Sequence, residues 1–274
     1  MTHPEPVQKG NPHKLSLDQH TFPTKSIIRF SEGGGVEVHE KRVGRTLRRL
    51  PKDVLFCARR LWDHKSEIGY MRDIENPFQS LIDNLLGGKR NLSADNHSLI
   101  TDFYFLWNLR QRVRMEEPIH SQLPGWTPER VIRKKDTQEK LEGKGILFWD
   151  ENGEIPNRIL TGTSLQMQLW AERERMPVTR WGVIETLPGQ GEFLVPDNLC
   201  QHTLIPISPN VCLAANNPDQ FVDMSFVAWY NGLAVENSDN YYFARNIKDC
   251  PILKHTTLRT ELKDVGLLKS ARRA

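Results

Sequence analysis

Runs of apolar residues along the chain change period three times, and those changes predict the order of elements. From residue 25, "KSIIRF" and "VEVHE" read as two short strands joined by "SEGGG", whose glycines suit a hairpin turn. In "LPKDVLFCARRLWD", Val54, Leu55, Ala58, Leu61 and Trp62 recur at helical spacing and predict a short helix or turn. "SEIGYMRDIENPFQSLIDNLLGG" predicts a helix with Ser66 as its N-cap and Gly87-Gly88 as its stop, kinked or divided at Pro77. "LSADNHSLITDFYFLWNLRQRVRM" predicts a central core helix capped by Ser93, burying Leu99, Ile100, Phe103, Phe105, Leu106 and Trp107. Its basic end, Arg110, Arg112 and Arg114, suits the negative pole of a helix.

A charged helix is expected from Thr127 to about Lys140, with Pro128 at its first position, and another in "GEIPNRILTGTSLQMQLWAERERMP". The period then shortens. "RWGVIETLP", "GEFLVPDN", "QHTLIPISPN" and "VCLAAN" are turn-bounded and rich in β-branched residues, as antiparallel strands are. A final amphipathic helix is expected in "DMSFVAWYNGLAVENSDNYYFARN", with Gly232 as a place where it can break. Strands and helices are segregated rather than alternating, so the expected class is α+β. Its form is a mainly helical domain with a small mixed or antiparallel sheet, built from an N-terminal hairpin and strands of the C-terminal half. The expected organisation is a flexible arm over 1–18, a single domain over 19–250 and a basic tail over 251–274.

Composition adds little to this picture. The 274 residues are 38% hydrophobic and 26% charged, and the longest apolar runs, such as "LITDFYFLW", fall short of a membrane span. The polar opening "MTHPEPVQKGNPHK" has no apolar signal-peptide core, so a cytoplasmic location and no membrane partner are expected. Cys57, Cys200, Cys212 and Cys250 lack C-x-x-C spacing. They read as small buried hydrophobes rather than as a zinc site, even with His202 near two of them. The net charge of +3 is modest, but its distribution is uneven: between Lys41 and Arg60 eight basic residues face a single acid, Asp53. Within that stretch, Arg42, Arg45, Arg48, Arg49, Arg59 and Arg60 are the candidates for following a phosphate backbone. The bland alternative is a solvated face, or arginines paired with acids from elsewhere.

The order of the pieces resembles the bacterial domain-of-unknown-function family numbered 4238. The family's opening His-x-x-Pro, apolar stretch and Phe-Ser/Thr are similar to "HTFPTKSIIRFSEGGGVEV", with His20, Pro23, Phe30 and Ser31 in the matching places. An Ile-Glu pair on the next helix matches Ile74-Glu75, and "LSADNHSLI…NLRQR" matches the helix after it. A strand running into Ser-Asp-Asn-Pro is matched in part by "FLVPDNLC", where Asp197 and Asn198 align but Pro196 and Leu199 replace the outer residues. "PISPN" and "YNGLAVENSDNYYFARN" complete the series, which spans about residues 19 to 250. The resemblance implies a fold and no established activity.

Chemistry follows if His20, Glu75, Asp197 and Asn198 converge. An imidazole, two carboxylates and an amide would hold Mg²⁺ or Mn²⁺ and activate a water, or His20 would act as a general base oriented by a carboxylate. The arginine cluster would then hold a nucleic acid. The expectation is a nuclease-like, nucleic-acid-directed hydrolase of the kind a toxin or phage-defence effector uses. Its competitor is a non-catalytic protein-binding or regulatory module, acting through a protein partner or as a homo-oligomer. Asp-Asn after a strand is also an ordinary turn, because both side chains bond nearby backbone. Arg114…His120 has the spacing of a loose helical ribonuclease motif, interrupted by Pro118, and "VHEKR" lacks the second histidine of a zinc-protease helix.

Overall fold

The computed structural model describes residues 5–116, 129–175, 179–199 and 203–253. They divide into two compact units: one drawn from Met1–Pro23 and Lys52–Thr179, the other from Thr24–Pro51 and Arg180–Ala274. The architecture is α+β, as the segregated pattern predicts.

In the first unit, β1 (Asp18–His20) pairs antiparallel with β4 (Cys57–Arg59), placing His20 opposite Cys57. The stretch expected as a short helix or turn is a 3-10 turn over Val54–Phe56 leading into β4. Helices follow. α2 (His64–Ser66) is capped by Asp63, not by Ser66: the Asp63 carboxylate accepts from the Ser66 backbone N–H at 2.9 Å. A π-helical turn, Glu67–Met71, joins it to α3 (Arg72–Leu86). The helix is not divided at Pro77, and non-helical dihedrals occur upstream at Gly69 (φ −97°, ψ −119°). α3 runs through Pro77 because Ile74, Phe78, Ile82 and Leu85 bury one continuous stripe. Phe78 stacks on Phe103 of α4 (Ala94–Met115) with centroids 3.6 Å apart.

α4 is the core helix, and its Ser93 forms a capping box with Asn96. Of its expected core, Leu99 is only half-buried, while Tyr104, Arg110 and Gln111 are buried as well. α5 (Lys135–Gly143) starts later than predicted; residues 129–134 are not helical, and Thr127 and Pro128 lie outside the described residues. α6 (Asn157–Arg175) approaches the α2 cap closely: a Cβ on Gly162 would sit 2.0 Å from Asp63 Oδ2. The arm is tied down from Glu5 onward. Leu15 is buried, and the Gln8 backbone and side-chain N–H groups donate to the two oxygens of buried Glu139 at 2.7 and 3.0 Å.

The second unit corrects the N-terminal hairpin. "TKSII" is a short helix, α1 (Thr24–Ile28), because Ile27 and Phe30 are the buried positions, three residues apart. The glycine turn exists, with Gly33 and Gly34 at positive φ, but it connects α1 to β2 (Val36–Glu40). The hairpin partner of β2 is instead β3 (Arg45–Arg49), across a turn that ends on Gly44 at φ +62°. With β6 (Val195–Pro196) and β10 (Tyr241–Ala244) they form a sheet ordered β3-β2-β10-β6, assembled from both ends of the chain.

A second sheet, β7-β8-β5-β9, comprises β5 (Trp181–Thr186), β7 (Leu204–Ser208), β8 (Val211–Ala215) and β9 (Gln220–Val222). Only its β5–β9 pair is parallel. α7 (Met224–Asn237) continues through Gly232 and, through Val227, Tyr230 and Ala234, shares one core cluster with residues of both sheets, among them Ile184, Cys212 and Tyr242. No helix among the described residues is long and apolar enough to cross a membrane.

Candidate functional site

His20 and Glu75 belong to the first unit, Asp197 and Asn198 to the second. In the first unit Arg110 links the former pair. Its Nη1 donates to the backbone carbonyl of His20 at 3.3 Å and to Glu75 Oε1, and its Nη2 lies 3.5 Å from Glu67 Oε2. The guanidinium is 1% exposed and lies over the Trp62 ring at 5.3 Å, while Trp62 Nε1 donates to the same Glu67 oxygen at 2.6 Å. Burial opposes the Arg110 charge, yet Glu75 and Glu67 outweigh it and hold the group above its ordinary value. Burial pushes the Glu75 carboxyl up, against the pull of Arg110, and the Glu67 charge adds to the rise. Burial is the larger effect, so the upward direction for Glu75 follows.

It is therefore the backbone carbonyl of His20 that meets this cluster. The imidazole lies against Cys57, with Sγ 3.6 Å from each ring nitrogen. Burial, reinforced by Asp18, pushes the Cys57 thiol up to about 12, so it stays protonated at neutral pH and is no activated nucleophile. Asp197 organises a turn. Its carboxylate accepts from the backbone N–H groups of Asp239 and Asn240, both at 2.8 Å, and of Tyr241 at 3.3 Å, fixing the start of β10. Burial pushes its carboxyl up against those donors. Asn198 Nδ2 donates to Asp239 Oδ2 at 3.0 Å. Among the described residues no group of three or more His, Cys, Asp or Glu is placed to hold a metal, so the expected Mg²⁺ or Mn²⁺ has no donor set there. Cys200, His202 and His120 lie outside the described residues.

The arginine candidates separate by environment. Arg60 is 5% exposed and donates to Glu142 at 2.6 Å. Arg59, at the end of β4, is exposed. Arg42, Arg45, Arg48 and Arg49 lie on the turn and outer strand of the β2–β3 hairpin, where β3 is the sheet edge. Arg49 pairs with Glu40 at 2.5 Å, and Arg48 reaches only the Gly35 carbonyl, at 3.3 Å. Arg42 and Arg45 are exposed, and their side chains make no hydrogen bond or ion pair among the described residues. Beside them the His39 ring stacks on Tyr242, 5.0 Å between centroids.

In the sequence Arg110 reads only as a charge at a helix end, and Glu67 has no marked role. Arg110's position in the apolar stripe of α4, seven residues after Phe103, was the signal that it is buried. No family model matches this chain, and neither the curated proteins nor the solved structures show a match.

Proposed function

We propose that the protein binds nucleic acid through the basic β2–β3 hairpin, with Arg42, Arg45 and Arg48 contacting the phosphate backbone. The observation that carries this reading is an exposed edge strand and turn bearing guanidiniums that no acid neutralises: Arg42 and Arg45 have no ion pair among the described residues, and Arg48 meets only a backbone carbonyl. Guanidiniums suit phosphate because their fixed fork matches two oxygens at once. A two-stranded ribbon is an element known to enter a nucleic-acid groove. Charged edges also serve to block pairing with another chain, and that duty needs no phosphate.

The reading is one of binding. The hydrolytic part of the expectation draws no support from His20, Glu75 or Asp197, whose contacts are those of a strand anchor, a counter-ion and a turn. Membership of family 4238 is likewise proposed, on the shared order of motifs from His20-Pro23 to Ala244-Arg245.

Fluorescence anisotropy with labelled duplex DNA and single-stranded RNA, across a salt series, tests the proposal. Binding should weaken linearly in log salt, and replacing Arg42, Arg45 and Arg48 together by Gln should lower the slope by about 2 to 3. An unchanged slope in the folded triple variant would remove the hairpin from the interface.

A further inference from the structure

We propose that a cavity of the first unit is a binding site for a small phosphate monoester, and that the Glu5 carboxylate occupies the phosphate position in the ligand-free chain. The cavity measures about 470 Å³ and is lined by Arg59, Arg60, Arg133, Lys135 and Arg158 together with the acids Glu5, Asp150, Glu151 and Glu154. Volumes of roughly 300–1,000 Å³ are those of small-molecule sites. Glu5 sits among the cations. Its Oε2 accepts from Arg158 Nη1 at 2.8 Å, its Oε1 from Lys135 Nζ, and its backbone carbonyl from Arg60 Nη1 at 2.8 Å. An anion from the chain itself thus marks where the cations converge.

The five cations of the lining outnumber its four acids, Glu5, Asp150, Glu151 and Glu154. Arg60 and Arg158 are 5% and 7% exposed, and both donate to the same oxygen of Glu142, at 2.6 and 2.7 Å. Even so, Arg60 Nε and Arg158 Nη2 are buried without a hydrogen-bond partner among the described residues. Buried donors left unmade are costly and seldom retained without a use. Burial and the neighbouring Arg158 charge both lower Arg60 and Lys135 from their ordinary values, a repulsion that a bound anion would relieve. Arg59 and Arg133 have no ion pair among the described residues.

A carboxylate offers two oxygens and one charge. A phosphate monoester offers three oxygens and close to two charges, enough to take the unmade donors as well as those now on Glu5. The first turn of α6, with Asn157 and Arg158, also lines the cavity and adds the positive end of a nineteen-residue helix. This site is independent of the hairpin, so its failure and that of the nucleic-acid reading are separate results.

Isothermal titration of the full chain with inorganic phosphate, glycerol phosphate and acetate at matched ionic strength tests the proposal. Both phosphates should bind saturably and acetate at least about tenfold more weakly. Glu5→Ala, which removes the internal competitor from an exposed position, should tighten phosphate about tenfold. Lys135→Met and Arg133→Gln should each weaken it; both are surface changes that leave the buried Arg60–Glu142–Arg158 contacts intact. Absence of saturable phosphate binding in Glu5→Ala would overturn the proposal. Acetate binding equal to phosphate would overturn the choice of ligand, and identical phosphate titrations in all variants would overturn the location.

Discussion

Three arginines of the first unit and three of the second live under opposite conditions. In the first unit Arg60, Arg110 and Arg158 are buried, and each is held by glutamate: Arg60 and Arg158 by Glu142, Arg110 by Glu75 and Glu67. In the second, Arg42, Arg45 and Arg48 stand in water on a strand edge and its turn. A buried guanidinium has lost its hydration and depends on its partners, so removing either side leaves an uncompensated charge. An exposed one keeps its water, contributes little to folding and stays available to an external anion. A basic count along the sequence merges these two populations. Burial separates them, and only the second is suited to a large polyanion.

The sharpest way to break that comparison is Arg110→Met. It leaves Glu75 and Glu67 together in a site built around one cation, and should cost about 3–5 kcal/mol in chemical denaturation at neutral pH. A cost below about 1 kcal/mol would show the cluster to be wet and the contrast between the units to be false. Glu75→Gln should behave differently, because Glu67 remains to face Arg110 and the amide oxygen still accepts its N–H. Its cost should be about 1 kcal/mol or less.

The pH dependence of that second variant has a definite sign. The folded-state value of Glu75 is raised, so the folded chain holds the proton longer than the unfolded chain does. The Glu75 contribution is then fully present below the ordinary carboxylate value and is lost as pH rises through the folded one. Glu75→Gln should therefore gain stability relative to the natural protein as pH rises above about 4, the ordinary carboxylate value. A relative loss with rising pH would mean that Arg110 stabilises the Glu75 anion outright.

Much of the fold was legible because local signals agreed. α4 announces itself by the Ser93 cap and its apolar positions, α3 ends at the glycines after Leu86, and β5, β7 and β8 stand between turn residues as β-branched runs. Less legible were elements whose stability is not local. The five residues of α1 are helical through the burial of Ile27, and β3 reads as a solvated basic run until β2 supplies its hydrogen bonds. The arm looked loose because what fixes it is distant in sequence. Gln8 donates from its backbone and side-chain N–H groups to Glu139, and Asn11 and Leu15 precede β1, whose Gln19 is fully buried against Leu61 and Trp62. The candidate site failed to declare itself for a related reason: a histidine's position says nothing of whether its ring or its carbonyl will be used. At His20 the Arg110 contact is made by the carbonyl.

The smallest expected effect probes the exposed side of the comparison. Arg45 lies opposite Glu40 in the strand register, and such cross-strand pairs contribute roughly 0.2–1 kcal/mol where they form. Glu40 is already engaged by Arg49 at 2.5 Å, from the same strand as Arg45. If that engagement holds, Arg45→Gln should change stability by no more than about 0.5 kcal/mol, and the change should be the same in a Glu40→Gln background. If Arg45 competes for Glu40, the two substitutions should couple by more than about 0.5 kcal/mol in a double-mutant cycle. Coupling of that size would make Arg45 a structural residue like those of the first unit and take it out of the proposed phosphate contacts. Additivity would leave its charge unspent in the folded chain, as the hairpin reading requires.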